Sequence, residues 1–371
     1  MTYFPATYED SRERFRLSLN LLRSKWPDAH LENHPLKEHP DLSIDWIWAE
    51  PRKKEKLVII STAEHGIEGY VGAAMMKIFI EEFALNLNPE NTGLLLVHAI
   101  NPWGMKNRCR VNPNNVDLNR NFVFGGNYDP SINPDYDLIL SLLNPQKPVR
   151  HLAIERISFI GKVIKGLISP GQAKIQAASL LGQHRHPKGI YYGGKGLEEE
   201  TKVLMSLYRQ SPEEYQNIVA VDLHTGYGPR YQMTVIIPPV DPTPSAEAMA
   251  KFNYPLVQKI DAEEFYAISG DMGEYFYRLR NAEYPGKELF ACGFEFGTFG
   301  DSLLALIRSL HITILENQLR HWGAKSGSIA QVVRKEYGEL FFPTEGRWRE
   351  KALADGRKAF EGILRAYQLL E

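Results

Sequence analysis

Cysteine is scarce. Cys109 and Cys292 are the two in a chain of 371 residues, and so sparse a set excludes a disulfide framework. Both are expected to stay reduced as packing residues, Cys109 in an arginine-rich loop and Cys292 in a strand. Long apolar runs are missing as well. No stretch approaches the length that spans a bilayer, so a membrane partner is not expected. Charges at Glu9, Asp10, Arg12, Glu13 and Arg14 come too early for the apolar core of a signal peptide. The expectation is a soluble, cytoplasmic protein. Nor is charge of one sign in excess. A formal net charge of -2 supplies no broad basic field, so nucleic acid is not an expected partner. Internal repeats and low-complexity linkers are absent, which at this length favours one large domain over two modest ones.

What is present has the order of an α/β protein. Helical periodicity runs over 8–24, with Phe15, Leu17, Leu19, Leu21 and Leu22 set among charges. Strands are expected over Asp45 to Ala49, Leu57 to Thr62 and Leu94 to Ile100, and a helix from Gly69 to Phe83 separates the last two. Such strand–helix–strand order implies a sheet covered by helices. Further helices are expected over 138–143, 151–181, 198–209, 302–322, 328–337 and 347–370. Further strands are expected over 219–224, 233–237, 264–269 and 289–296. The expected architecture is a single α/β domain over 1–371, a mixed, mostly parallel sheet flanked by helices, with a largely helical insertion at about 123–200.

The chemistry gathers where strands end. His65-Gly66-Ile67-Glu68 follows the apolar run Leu57 to Ile60 and opens an amphipathic stretch. Residues three apart at a helix start can point the same way, so an imidazole and a carboxylate converge. Such a tetrapeptide also arises by chance, and Glu68 would favour a helix N-terminus without any metal. Val219 to Leu223 then ends in His224. Two histidines and one glutamate can hold one zinc ion and leave a position open for water, the pattern of a catalytic site. Ligand sites in open α/β sheets lie beyond the carboxyl ends of strands, and both histidines stand there.

Two acids extend the set. Metal-bound histidines donate their second ring nitrogen to a carboxylate or carbonyl, and Asp117 is the candidate beside His65; its plain role would be to stabilise a turn. Glu295 lies between Phe294 and Phe296, so strand alternation puts it on the face opposite both aromatics. A buried acid there is costly unless it is paired or functional, and a hydrolase needs such a group to take a proton from water. A surface-facing glutamate is the alternative. Arg108, Arg110, Asn119 and Arg120 crowd a loop-like stretch suited to gripping anions and carbonyl oxygens.

These motifs resemble the M14 zinc metallocarboxypeptidases. Asp222-Leu223-His224-Thr225-Gly226 and Val116-Asp117-Leu118-Asn119-Arg120 are also similar to the aspartoacylase and succinylglutamate desuccinylase branch. The His65-to-Gly69 loop, the Arg110-to-Phe122 segment and the Gly182-to-Gly194 segment look most like the DUF2817 branch. The resemblance implies a zinc carboxypeptidase-like fold with one zinc ion on His65, Glu68 and His224. It implies that Arg110 polarises the scissile carbonyl, with Arg108 as a rival, that Asn119 and Arg120 hold a substrate carboxylate, that Asp117 supports the ligands and that Glu295 is the general base. The implied substrate is a peptide, cut next to its carboxylate, or a small N-acyl amino acid. A binding protein without turnover is the third possibility, against which the full residue set speaks. The chain departs from the branch at Ala63-Glu64, where Ser-Gly-Thr is usual, so Glu64 adds an acid beside the metal loop. An active-site tyrosine would have Tyr275, Tyr277 and Tyr284 as candidates. His184 and His186 could line the pocket or bind a second metal, with solvated loop histidines as the plainer reading.

Overall fold

A computed structural model describes residues 3–168, 181–259 and 270–371. Among the described residues eight strands form one sheet in the order β1-β2-β4-β3-β5-β8-β6-β7. They are β1 (His30–Pro35), β2 (Ser43–Ala49), β3 (Lys56–Thr62), β4 (Thr92–His98), β5 (Asn217–Gly226), β6 (Met233–Ile237), β7 (Val257–Lys259) and β8 (Glu288–Gly297). The middle of the sheet, β4-β3-β5-β8, is parallel throughout. Antiparallel pairs join β1 to β2, β2 to β4 and β6 to β8, and β6 and β7 are parallel. The central strands read as near-continuous apolar runs because helices cover both faces; every residue of β4 is buried.

Helices follow from local signals. α1 (Tyr8–Arg23) starts at Thr7, whose hydroxyl accepts from the Asp10 N–H, and it buries Tyr8, Ser11, Phe15 and Leu22. α2 (Gly69–Ile78) leads into a wider turn over Phe79–Phe83. α3 (Pro102–Asn107) was not expected. It is a short helix with Asn101 capping Gly104 N–H and proline in its first turn. The block after it holds α4 (Asp135–Leu138), α5 (Leu140–Leu143), α6 (Leu152–Ile168) and α7 (Glu199–Glu214). α8 (Ser245–Phe252) and α9 (Met272–Glu283) were likewise unforeseen, and α10 (Leu303–Trp322), α11 (Gly327–Phe341) and α12 (Gly346–Ala366) complete the chain. The expected helix beyond 168 and the expected strand at 264–269 lie outside the described residues. Among the described residues no helix is long and apolar enough to cross a membrane.

Side-chain alternation sorts the two faces. Val219, Val221 and Leu223 of β5 join Phe290, Cys292, Phe294 and Phe296 of β8 in the larger core, with Phe360 and Ile363 of α12. Ile218 and Ala220, with Leu289 and Ala291, face the other way onto Leu204 and Tyr208 of α7 and Phe276 of α9. Period-2 geometry then places Asp222, His224 and Glu295 on this second side. The β5–β8 register makes His224 and Glu295 direct neighbours. The expectation that Glu295 points away from both phenylalanines therefore holds, and its side chain stands beside a histidine.

Candidate metal centre

The loop after β3 is tied down by backbone. Gly66 N–H donates to Arg110 O at 3.1 Å and Ile67 N–H to Cys109 O at 2.9 Å. Glycine is required at 66, since a Cβ there would lie 2.2 Å from the Gly104 carbonyl carbon. A single 3-10 turn, Gly66–Glu68, carries Glu68 round to face His65. Nδ1 of His65 stands 3.0 Å from Glu68 Oε1, and Nδ1 of His224 stands 3.3 Å from Glu68 Oε2. The far nitrogens are held by acids. His65 Nε2 donates to Asp117 Oδ1 at 3.0 Å, and His224 Nε2 contacts Asp222 Oδ2 and lies 3.6 Å from Glu64 Oε2. With the outer nitrogens protonated, both Nδ1 lone pairs turn towards Glu68. His65 Nδ1 makes no hydrogen bond despite its 3.0 Å approach to the carboxylate. Two lone pairs facing one another in a buried place are what a cation between them would satisfy.

Glu68 has further partners. Thr225 N–H donates to its Oε2 at 2.9 Å, and Arg110 Nη1 donates to its Oε1 at 3.2 Å. Arg110 also donates from Nε to Asp117 Oδ2 at 3.0 Å. Arg108 turns away. It ends α3 in the left-handed region, stacks over Tyr70 and donates to Ala6 O. The structure thus brings Arg110, and not Arg108, to the cluster. Burial works to raise the Asp117 carboxyl, but Arg110 and His65 outweigh it and hold it well below the usual carboxylate range.

Glu295 accepts one hydrogen bond, from Tyr227 N–H at 3.0 Å. Burial, and then the charge of Glu68, push its carboxyl up to about 8. Glu64 is more isolated. It is 1% exposed, and neither oxygen has a hydrogen-bond partner. Burial and the neighbouring Asp222 push its carboxyl well above the ordinary range. Glu64, His65 and His224 place one ligand atom each within 4.8 Å of one another. That grouping names Glu64 rather than Glu68 beside the histidines. The ring orientation favours Glu68 as partner of both Nδ1 atoms, because Glu64 approaches His224 from the Nε2 side. Acids outnumber cations here, which suits a bound divalent ion.

Asn119 and Arg120 sit on a 3-10 turn next to the cluster. The Asn119 carboxamide oxygen accepts from Met272 N–H at 3.0 Å, so it positions the start of α9. Arg120 is buried and donates from Nη1 to Asn119 O at 2.7 Å. Its guanidinium carbon lies 5.9 Å from the centre of the Tyr191 ring, and that of Arg110 lies 5.8 Å away.

Tyr191 and Tyr227 are the residues that sequence reasoning missed. Their hydroxyls meet at 3.2 Å. Tyr191 takes a left-handed backbone, φ 55°, within the 182–194 segment. That segment reaches the cluster through Asp117 N–H, which donates to Tyr192 O at 2.8 Å. The earlier tyrosine candidates lie elsewhere. Tyr277 donates to Asp241 in the core, Tyr284 donates to Glu213, and Tyr275 packs on Phe122 and Phe124. His184 is not solvated: it is buried, with Nδ1 2.8 Å from Gly194 O, and its ring meets Tyr128 edge-on. His186 pairs with Asp137 and stacks on Tyr136.

A family model described as "Protein of unknown function (DUF2817)" matches residues 4–355. The chain belongs to the DUF2817 family. No curated protein matches this DUF2817 sequence. Solved structures similar to it include bovine thrombin-activatable fibrinolysis inhibitor in complex with tick carboxypeptidase inhibitor. That protein is 14% identical, with 88% of this chain and 97% of that chain covered and a TM-score of 0.47. Carboxypeptidase A from Helicoverpa armigera is 15% identical, with 88% and 73% covered and a TM-score of 0.45. A succinylglutamate desuccinylase from Silicibacter is 16% identical, with 80% and 67% covered and a TM-score of 0.36.

Proposed function

We propose that this protein is a zinc-dependent hydrolase that cleaves an amide or peptide bond next to a substrate carboxylate. The observation that supports it most is the convergence of His65 Nδ1 and His224 Nδ1 on Glu68, with Glu295 on the adjoining strand. A bound zinc supplies Lewis acidity and a water that ionises near neutral pH. His65, Glu68 and His224 would hold it. Asp117 and Asp222 fix the imidazole rings by taking their outer N–H groups.

The remaining steps belong to the chain. Glu295 takes the proton of the attacking water and passes it to the leaving amine. A carboxyl pushed up to about 8 is basic enough for that exchange, and a nearby cation would lower it towards neutrality. Arg110 aims N–H donors at the oxygen that becomes negative in the tetrahedral intermediate. The Tyr227 hydroxyl, which meets that of Tyr191, is a second candidate donor to that oxygen. Arg120 grips the substrate carboxylate as a planar fork. Arg110, Arg120 and Tyr191 are each less than a tenth exposed. This enclosure favours small substrates, so a deacylase of N-acyl amino acids is the second reading. Both cysteines are free and buried, which fits a cytoplasmic site of action.

The test is direct. Zinc-loaded and chelator-stripped protein are incubated with peptides and N-acyl amino acids, and products are read by mass spectrometry. Cleavage that depends on zinc and on a free carboxylate is expected. Wild-type zinc content in His224→Ala would overturn the assignment.

A further inference from the structure

Asp117 and Asp222 each take the outer N–H of a proposed zinc ligand, but they are held in different ways. Asp117 is gripped by a cation, Arg110. Asp222 is held by a hydroxyl. Ser61 Oγ donates to Asp222 Oδ1 at 2.6 Å, while Oδ2 contacts His224 Nε2. The ladder explains the meeting, since Ser61 of β3 and Asp222 of β5 are direct partners in the parallel register. They continue the side of the sheet that carries Ile59 and Ala220, in the core that Tyr208 of α7 also joins. Ser61 follows Val58, Ile59 and Ile60 and is 1% exposed. A hydroxyl buried at such a place is costly unless it is bonded.

Ser61 has a second partner. The hydroxyl of Tyr208 hydrogen-bonds that of Ser61. The Tyr208 ring is stacked on Phe276 of α9, with centroids 4.3 Å apart and planes 9° from parallel. Proton counting gives the direction of the bonds. A carboxylate only accepts, so the single Ser61 hydroxyl proton points at Asp222 and its lone pairs face Tyr208. Burial, and then the acids Asp222 and Glu64, push the phenol well above its ordinary range, so it keeps the proton that it donates. Hydrogen bonds in series with one polarity strengthen one another. We propose that Ser61 and Tyr208 are positioning residues of the metal centre: the chain Tyr208–Ser61–Asp222 fixes the plane of the Asp222 carboxylate, keeps the His224 proton on Nε2 and so leaves Nδ1 bare. The proposal rests on the reading that His65, Glu68 and His224 hold zinc. It makes α7, which carries no proposed ligand, part of the support. The rival account is a pair of hydroxyls that merely satisfy one another, with the His224 ring set by packing alone.

Zinc affinity separates the two. Full-length wild type, Ser61→Ala, Tyr208→Phe and the double variant are titrated with zinc against a chromophoric chelator, and unfolding midpoints are measured without metal. Ser61→Ala should bind zinc about tenfold more weakly, the lower end of what losing an orienting partner costs a metal site. Tyr208→Phe should show a smaller loss. Because Tyr208 acts through Ser61, the double variant should bind no more weakly than Ser61→Ala. A lowered midpoint with wild-type zinc affinity in Ser61→Ala is the mark of the rival account and overturns the proposal. Losses that add in full in the double variant overturn it too. Heteronuclear NMR of metal-free protein, isotope-labelled at histidine, reads the ring itself. A His224 Nε2–H resonance, assigned by its absence in His224→Gln, is expected in the wild type; in Ser61→Ala the proton should move to Nδ1 or exchange away. Should the wild type bind no zinc, the hydrolase reading falls, and this resonance alone judges the chain: unchanged in Ser61→Ala, it overturns the proposal.

Discussion

Asp117 is where two donors converge, and Asp117→Asn should damage stability and metal binding together. The carboxylate is fully buried and accepts from His65 Nε2 and from Arg110 Nε, both at 3.0 Å. Asparagine keeps the shape but only one acceptor. Its amide N–H₂ must then face either the imidazole N–H or the guanidinium N–H. One charge-assisted hydrogen bond is lost, worth about 1.5–3 kcal/mol. Breaking a buried ion pair outright costs about 3–5 kcal/mol. Arg110 keeps Glu68 Oε1 at 3.2 Å, which places the expected loss near the lower bound, about 3 kcal/mol. Denaturant unfolding of metal-free protein reads this term without interference from zinc. Zinc affinity, measured by competition with a chromophoric chelator, should fall about 10- to 100-fold, because His65 loses the group that fixes its ring. A variant with the wild-type unfolding midpoint and the wild-type zinc affinity would refute the role of Asp117 as the hinge of the cluster.

Three more outcomes are expected. Glu295→Gln should retain zinc while the rate of cleavage falls about a hundredfold or more; near-normal turnover would remove Glu295 as the base. Arg120→Ala and amidation of the substrate carboxylate should each slow wild-type-like cleavage by about 2 kcal/mol or more, without adding to one another; equal wild-type rates on free and amidated substrates would discard the carboxylate grip. His98 is buried, its Nε2 2.7 Å from Ser11 Oγ, and burial pushes its ring down to about 4. Its folded value lies below the unfolded one, so the unfolded chain binds the proton first. Stability should therefore drain away as pH falls from about 6.5 towards 4, by roughly 3 kcal/mol from this group. His98→Gln should show a shallower acid loss, and identical slopes for the two proteins would be the contrary result.

Legibility in the sequence followed physical rule. His65, Glu68 and His224 could be read because strand ends and a helix start mark them locally. Glu295 could be read because alternation with Phe294 and Phe296 fixes its face. β1 was invisible. As an edge strand it pairs on one side only, and most of His30–Pro35 is exposed, so no apolar pattern forms. α3 and α9 did leave signals, Asn101 before Pro102 and Asp271 three residues before Glu274; a short or proline-flanked helix is easily taken for loop. The Tyr191–Tyr227 contact leaves no local trace, since it joins residues 36 apart through hydroxyls alone.

The pairing of His224 with Glu295 across β5 and β8 makes the backbone ladder a ruler. Neighbouring strands are spaced at about 4.8 Å, so the backbone separation between the proposed ligand and the proposed proton acceptor is set by main-chain hydrogen bonds. Loops that carry none of the cluster residues are therefore free to vary around this pair. A one-residue deletion within β8 would do the opposite. It would swing Glu295 into the aromatic core and bring a phenylalanine to the histidine, extinguishing the chemistry while the outline of the sheet survived. Diversification of such a protein should thus be written in the segments that frame the pocket, with the two strands held in step.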